Sequence, residues 1–365
     1  HVSSRRQRQM CIRDSFKSYL IELYYPKLQN IPMNSFIRPR RLRRTEAIRQ
    51  MVQETKIQPE DFIYPLFVHN KDYKEEISAM PGIYRWDISG LIKEVFRAWE
   101  LGIKCIVLFP KVDDSLKTED GAECFNEAGI IPTVIRKIKQ EIPEMAIMTD
   151  VALDPYSCDG HDGLVDQEGN ILNDETIEIL TKQALTQARA GADFIGPSDM
   201  MDGRVGAIRQ SLDKNGFKEV GIISYTAKYS SAYYGPFRTA LDSAPRLNPN
   251  KKIPTNKSSY QMDPANAKEA FIECALDQYE GADILMVKPG LSYLDVIYRL
   301  NNFSNKPIAA YNVSGEYSMI KAASLKGWID EKDVVLETLL SFKRAGAKLI
   351  LTYHACDAAN WLKKT

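Results

Sequence analysis

The chain has 365 residues, 44% of them hydrophobic and 26% charged, and its 48 Lys+Arg balance 48 Asp+Glu to a formal net charge of zero. That balance supplies no global field to draw the chain to nucleic acid or an anionic membrane, and the length suits two domains or one large barrel. No apolar run is long enough to span a bilayer, and six scattered cysteines without C-x-x-C pairs offer neither a disulfide framework nor a cysteine zinc site.

Residues 1–32 are unlike anything that follows. The opening HVSSRRQRQMCIRDS is basic and contains serines but lacks the apolar centre of a secretory signal. It reads as a non-conforming extension or an artefact ahead of Met33, with a transit segment as the functional alternative. Residues 33–58 read as an N-terminal arm. Its basic cluster RPRRLRR (38–44) has no interleaved aromatic residues, which favours a solvated or subunit-contacting arm over a nucleic-acid contact.

From residue 59 to 365 short, β-branched apolar runs recur. They are FIYPLFV (62–68), CIVLFP (105–110), MAIMTDVAL (145–153), ADFIGPS (192–198), VGIISYTAK (220–228), DILMVKPG (283–290), PIAAYNVS (307–314) and KLILTYHA (348–355). Each is continuous rather than alternating, as expected of strands covered on both faces of a parallel sheet. Amphipathic helical patterns lie between them: LIKEVFRAWELG, ETIEILTKQALTQARAG, ANAKEAFIECALDQYEG and KDVVLETLLSFKRAG. Gly102, Gly191, Gly281 and Gly346 each stand between a helix and the next strand, where a left-handed backbone closes the helix without a Cβ penalty. Eight such strands predict a (β/α)8 TIM barrel, an α/β fold. The absence of G-x-G-x-x-G after the first strand removes the main support for a dinucleotide-binding domain.

Chemistry in such a barrel gathers at the C-terminal ends of the strands. The third run delivers Asp150 and Asp154 there, the fourth Ser198 and Asp199, and the fifth Tyr225 and Lys228. The sixth delivers Lys288, the seventh Tyr311 and Ser314, and the eighth Tyr353. Two lysines on adjacent strands would depress at least one pKa, because like charge and desolvation both oppose protonation. A neutral amine attacks a ketone to form a Schiff base. A lone lysine at a strand end is more often solvated or bound to phosphate; two together with a carboxylate and phenols favour covalent chemistry.

Residues 229–263 show no helix or strand pattern and read as a lid. It carries Arg238, Lys257 and Gln261, suited to clasping an anionic substrate. GPSDMMDGRVGAIR (196–209) reads as a second polar, movable loop.

The segments SYTAKYSSAYYGPFR (224–238), MVKPG (286–290), GPSDMMDGRVGAIR, SYQMDPAN (259–266) and AYNVSGEYSMIKAA (310–323) resemble the porphobilinogen synthase, or delta-aminolevulinic acid dehydratase, family. The resemblance runs from about Phe36 to the C-terminus. It implies a TIM barrel with an extended N-terminal arm, assembled as a homo-octamer, and condensation of two 5-aminolevulinate molecules into porphobilinogen in tetrapyrrole biosynthesis. It also implies that Lys288 and Lys228 form Schiff bases with the first and second substrate molecules. Ser314 and Tyr353 would hold one carboxylate, Arg238 and Lys257 the other, with Gln261 beside them. Asp150 and Tyr225 are suited to proton transfer.

Where the zinc-dependent branch of that family has three cysteines, this chain has Ala152, Asp154 and Asp162. Alanine cannot ligate and oxygen suits magnesium, so the resemblance implies no active-site zinc, no organic cofactor, and an allosteric Mg2+ held by Glu273. Cys158 alone does not make a zinc site, and His161 reads as a loop residue rather than a ligand. LNPNKKIPT (247–255) is an extra stretch of lid that leaves Lys251 and Lys252 as alternatives to Lys257. The rivals are a single-lysine aldolase, which would place phosphate-binding loops at the last two strands, and a catalytically silent scaffold, which needs neither lysine. The compartment expected is the cytoplasm, or a plastid if the front segment is native.

Overall fold

A computed structural model describes residues 38–246, 248–249 and 251–363. The reading of residues 1–32 and the start of the arm lie outside the described residues. The described residues fall into two units, divided between Glu54 and Thr55. The first holds a 3-10 turn, Pro39–Arg43, and a short helix, Glu46–Met51, whose N-cap Thr45 accepts the Ile48 N–H at 3.3 Å.

In the second unit, the eight apolar runs form the strands β1 (Phe62–Val68), β2 (Cys105–Pro110), β3 (Ala146–Val151), β4 (Phe194–Pro197), β5 (Gly221–Lys228), β6 (Ile284–Lys288), β7 (Ile308–Asn312) and β8 (Leu349–Thr352). Neighbours in sequence are neighbours in the sheet. All pair in parallel, and β8 closes on β1 through Phe62↔Ile350 and Ile63↔Leu351. The fold is a closed (β/α)8 barrel.

The runs are continuous because both faces are covered. Ile63, Phe67, Val107, Phe109, Met148, Ile223, Met286, Ala309 and Leu351 point into the lumen and pack together. Phe62, Tyr64, Leu66, Val68, Ile106 and Leu108 point out into a larger core against the helices. Gly191, Gly281 and Gly346 close their helices at φ of 108°, 106° and 110°, where a side chain would be strained.

The sequence pattern misses several helices. GPSDMMDGRVGAIR is not a movable loop: Met200 and Met201 are buried and residues from Arg204 begin the helix Arg204–Lys214. Its glycines mask the pattern, although Gly206 is there for close packing, with an added Cβ landing 3.2 Å from Glu280 Cγ. The lid is not structureless either, since it contains the helix Gly235–Leu241. Gly-Pro reads as a breaker, yet proline is well suited to a helix's first turn.

One irregularity positions everything that follows. Between β5 and β6 the register runs Ser224↔Leu285 and then Ala227↔Val287, so β5 spends three residues where β6 spends two. This bulge reverses the facing of β5. Ile223 and Tyr225 belong to the lumen, but Ala227 joins the outer core, so Lys228 turns inward beside its partner Lys288. Asp277 of the helix Glu269–Glu280 grips the bulge from outside. Its carboxylate accepts from Ser224 Oγ at 2.5 Å and Thr226 Oγ1 at 2.7 Å. The buried Arg204 reaches Asp277 at 3.4 Å and donates to the Tyr225 carbonyl at 3.3 Å.

Asp277→Ala would take one of the two carboxylates from the buried Arg204 and leave the Ser224 and Thr226 hydroxyls without their acceptor. It is expected to destabilise the fold by about 3–5 kcal/mol, read as a lowered urea midpoint. A loss below about 1 kcal/mol, the scale of a single hydrogen bond, would show that something else holds the bulge.

Candidate active site

Lys228 and Lys288 end adjacent strands and are direct register partners. Both are about 5% exposed, and their surroundings differ. Lys288 Nζ lies 4.7 Å from the ring centre of Tyr311, 4.9 Å from Phe237, and 5.1 Å from both Tyr225 and Tyr234. No described residue accepts a hydrogen bond from it. Aromatic faces attract an ammonium but hydrate it poorly. Burial, reinforced by the Lys228 charge, therefore pulls the Lys288 pKa down to about 7 against the opposing pull of Asp150, Asp162 and Asp154. Lys228 instead donates to Asp162 Oδ2 at 3.1 Å and contacts the Ser198 carbonyl.

Asp150 ends β3 close enough to feel both ammonium charges. Burial pushes its pKa up to about 6 although Lys288 and Lys228 pull it down, so it can exchange a proton near neutrality. The buried Tyr225 hydroxyl has no hydrogen-bond partner among the described residues. Burial first, then the Asp150 charge, raises it well above the ordinary phenol value. Asp199 does not join the site: it caps the Met201 N–H at 2.7 Å and faces Arg204.

Asp162 is the carboxylate whose role sequence reasoning missed. It accepts from Lys228, from Lys257 at 2.8 Å and from Gln261 Nε2 at 3.2 Å, while Lys257 also reaches Asp154 at 3.2 Å. Burial alone would raise the Asp162 pKa, but the two ammonium groups hold it far below the carboxylate range. Lys251 is committed to Asp159 at 2.6 Å and Lys252 is exposed, so Lys257 is the lid lysine at the site. Arg238, half-buried on the lid helix, makes no ion pair among the described residues. It lines a groove of about 480 Å³ with Lys71, Arg85 and Lys111.

The lid grows out of the two lysines. Its first N–H, from Tyr229, donates to the Lys288 carbonyl at 2.9 Å, and the Met262 N–H near its end donates to the Lys228 carbonyl at 3.0 Å. Tyr234 Oη donates to the Lys288 carbonyl at 3.1 Å. Ser314 Oγ accepts the Phe237 N–H at 3.0 Å, and Arg85 donates to the carbonyls of Ala240 and Thr239 at 2.6 and 2.8 Å. His161 fastens the far side, with Nε2 against the Pro254 carbonyl at 2.8 Å and Nδ1 against Tyr260 Oη at 3.0 Å. Because the Pro254 carbonyl can only accept, the neutral imidazole carries its N–H at Nε2, and Tyr260 Oη donates to Nδ1 while accepting the Asp162 N–H. Tyr353 Oη pairs with Tyr311 Oη at 2.9 Å beside the Lys288 cage. Arg85 and His161 carried no sequence signal for these roles, since they act through backbone groups distant in the chain.

Glu273 lies away from the lysines, on a polar cavity of about 490 Å³ lined also by Asp202, Asp263 and Glu269. Burial, with Asp277, Asp202 and Glu269 adding negative charge, pushes its pKa up to about 7.

Residues 36–361 match the family described as delta-aminolevulinic acid dehydratase. The chloroplastic delta-aminolevulinic acid dehydratase of Physcomitrium patens is 57% identical over 327 residues, which cover 89% of this chain and 74% of that protein. The chloroplastic delta-aminolevulinic acid dehydratase 1 of Arabidopsis thaliana is 55% identical over 333 residues, 91% and 76% of the two chains. A crystal structure of the enzyme from Toxoplasma gondii ME49, in complex with the reaction product porphobilinogen, is 51% identical with a TM-score of 0.88 over 92% of this chain and 94% of that one.

Lys228→Met removes the like charge that helps depress Lys288. The Lys288 pKa should then rise above about 7, and borohydride trapping of a small ketone on Lys288 should shift to higher pH. Labelling followed by peptide mass across the neutral range measures this; an unmoved profile means the amines do not sense each other.

Proposed function

The chain belongs to the delta-aminolevulinic acid dehydratase family and condenses two molecules of 5-aminolevulinate into porphobilinogen, and on that premise we propose how its own residues divide the work. The reading rests on one observation: paired lysines at the mouth of the barrel, one of them depressed to about pH 7.

Lys288, with about half of its amine uncharged at pH 7, attacks the ketone of the first molecule. The resulting carbinolamine loses water to give an iminium. Lys228 captures the second molecule in the same way after its proton leaves the Asp162 pair. Each iminium withdraws electrons, so it acidifies the neighbouring carbon and opens its own carbon to attack. Carbon–carbon and carbon–nitrogen bonds then join the tethered molecules. Both ketone oxygens leave as water and both lysines are released. Asp150 takes up and returns protons, with the Tyr225 hydroxyl facing it as partner. The Ser314 and Tyr353 hydroxyls, buried at the ends of β7 and β8, are donors for the first carboxylate. Arg238, without a competing ion pair, takes the second, and Lys257 and Gln261 swing from Asp162 toward it.

The donor set beside Lys228 does not fit zinc. Ala152 offers no ligand, and the Asp154 and Asp162 carboxylates are already neutralised by ammonium groups at 2.8–3.2 Å. No catalytic step is therefore routed through a metal. We propose Glu273 as a ligand for an allosteric Mg2+, because its carboxylate carries no hydrogen bond from a described residue and lines a polar cavity with Asp202, Asp263 and Glu269. Bound there, the ion would neutralise that acidic cluster. We also propose self-assembly, up to a homo-octamer. The exposed residues Ile272, Leu276 and Tyr279 share one face of the helix Glu269–Glu280 and supply apolar surface for it. The chloroplastic relatives support the plastid alternative over the cytoplasm.

Borohydride added with 5-aminolevulinate should attach the substrate mass to Lys288 or Lys228. Lys288→Met and Lys228→Met should each lower pyrrole formation by roughly a thousandfold or more, with the barrel still folded by circular dichroism. Labelling of neither lysine, or near-normal turnover in either variant, defeats the assignment. Chelation should reduce activity and Mg2+ should restore it; restoration by zinc alone would overturn the metal reading.

A further inference from the structure

A second cluster of ligand-type side chains forms beyond the end of β8. His354 follows the strand, Glu331 opens the helix Glu331–Ala345, and Asp357 lies in the first turn of the helix Ala355–Lys363. One ligand atom from each lies within 4.8 Å of the other two.

His354 sets this cluster apart from an ordinary acidic patch. It is 1% exposed, and neither ring nitrogen has a hydrogen-bond partner among the described residues. A neutral imidazole has one donor and one acceptor, and burying both bare is costly. Tyr317 covers the ring, 4.4 Å away between centres. The carboxylates stand on the open side, their side chains 27% and 49% exposed for Glu331 and Asp357, which leaves an entry path.

A cation already occupies the mouth of the cluster. Lys321 Nζ lies 2.5 Å from Glu331 Oε1 and 3.6 Å from Asp357 Oδ2. It neutralises the acids but makes no hydrogen bond with the imidazole, so the pocket binds positive charge while its nitrogen ligand goes unused.

We propose that Glu331, His354 and Asp357 bind a borderline divalent cation of the zinc class, which displaces the Lys321 ammonium. One imidazole nitrogen and two carboxylates suit such an ion, with water in the remaining position. Metal–ligand bonds of about 2.0–2.2 Å place tetrahedral ligands roughly 3.4 Å apart, a contraction that side-chain rotation supplies. The ion would tie the end of β8 to two helices, a structural role distinct from the lysine chemistry.

Co2+ titration in saturating Mg2+, which fills hard oxygen sites, tests this without reference to activity. The wild type should take up one Co2+ per chain and show the visible bands of low-coordinate cobalt. Lys321→Met should bind about tenfold tighter or better, having lost a competing charge. His354→Gln, alone or combined with Lys321→Met, should lose the bands while retaining its circular dichroism. No uptake by the wild type, bands that survive His354→Gln, or an affinity unchanged by Lys321→Met overturns the proposal.

Discussion

The site depends on a single extra residue in β5. A regular strand that points Ile223 and Tyr225 into the lumen would point Ala227 there too and send Lys228 into the outer core. The bulge reverses that alternation, so one short stretch presents both a phenol and an amine to the lumen. Such a distortion loosens a ladder unless something outside holds it. Here Asp277 does so through Ser224 and Thr226, and Arg204 neutralises Asp277 while gripping the Tyr225 carbonyl. A buried polar network is worth its desolvation only if its members are satisfied, and these converge on the backbone that aims the second lysine.

Given two inward lysines side by side, the surroundings make them unequal. Lys288 is set among four rings and Lys228 against a carboxylate. Identical side chains thus meet different surroundings, and burial lowers the Lys288 pKa. An arrangement that must handle two copies of one substrate in two roles requires that asymmetry. The carboxylates of Asp154 and Asp162 follow the same economy, each neutralised by a lysine ammonium group.

How much of this is legible in sequence follows from which interactions are local. The eight strands, the closing glycines at 191, 281 and 346 and both lysines declare themselves through periodicity and punctuation along the chain. The helix Arg204–Lys214 stayed hidden because glycine and charge blur its pattern, and the lid helix because Gly-Pro resembles a stop. The bulge has no local signature, since SYTAK reads as an ordinary strand until a partner register exists. Asp162 likewise reads as one more loop acid. Only folding brings it beside Lys228, Lys257 and Gln261, which lie 66, 95 and 99 residues away.

The lid is bound into this same arrangement and cannot act as an independent flap. Its two ends hydrogen-bond the carbonyls of Lys288 and Lys228. Its aromatic residues Tyr234 and Phe237 supply half of the cage that depresses Lys288. Withdrawing the lid therefore admits water to Lys288, relieves its desolvation and returns it toward the charged, unreactive state. Lys257 adds a second link, because it shares Asp162 with Lys228 and ties the far end of the lid to that lysine. Lid position and the Lys288 environment thereby share one set of contacts.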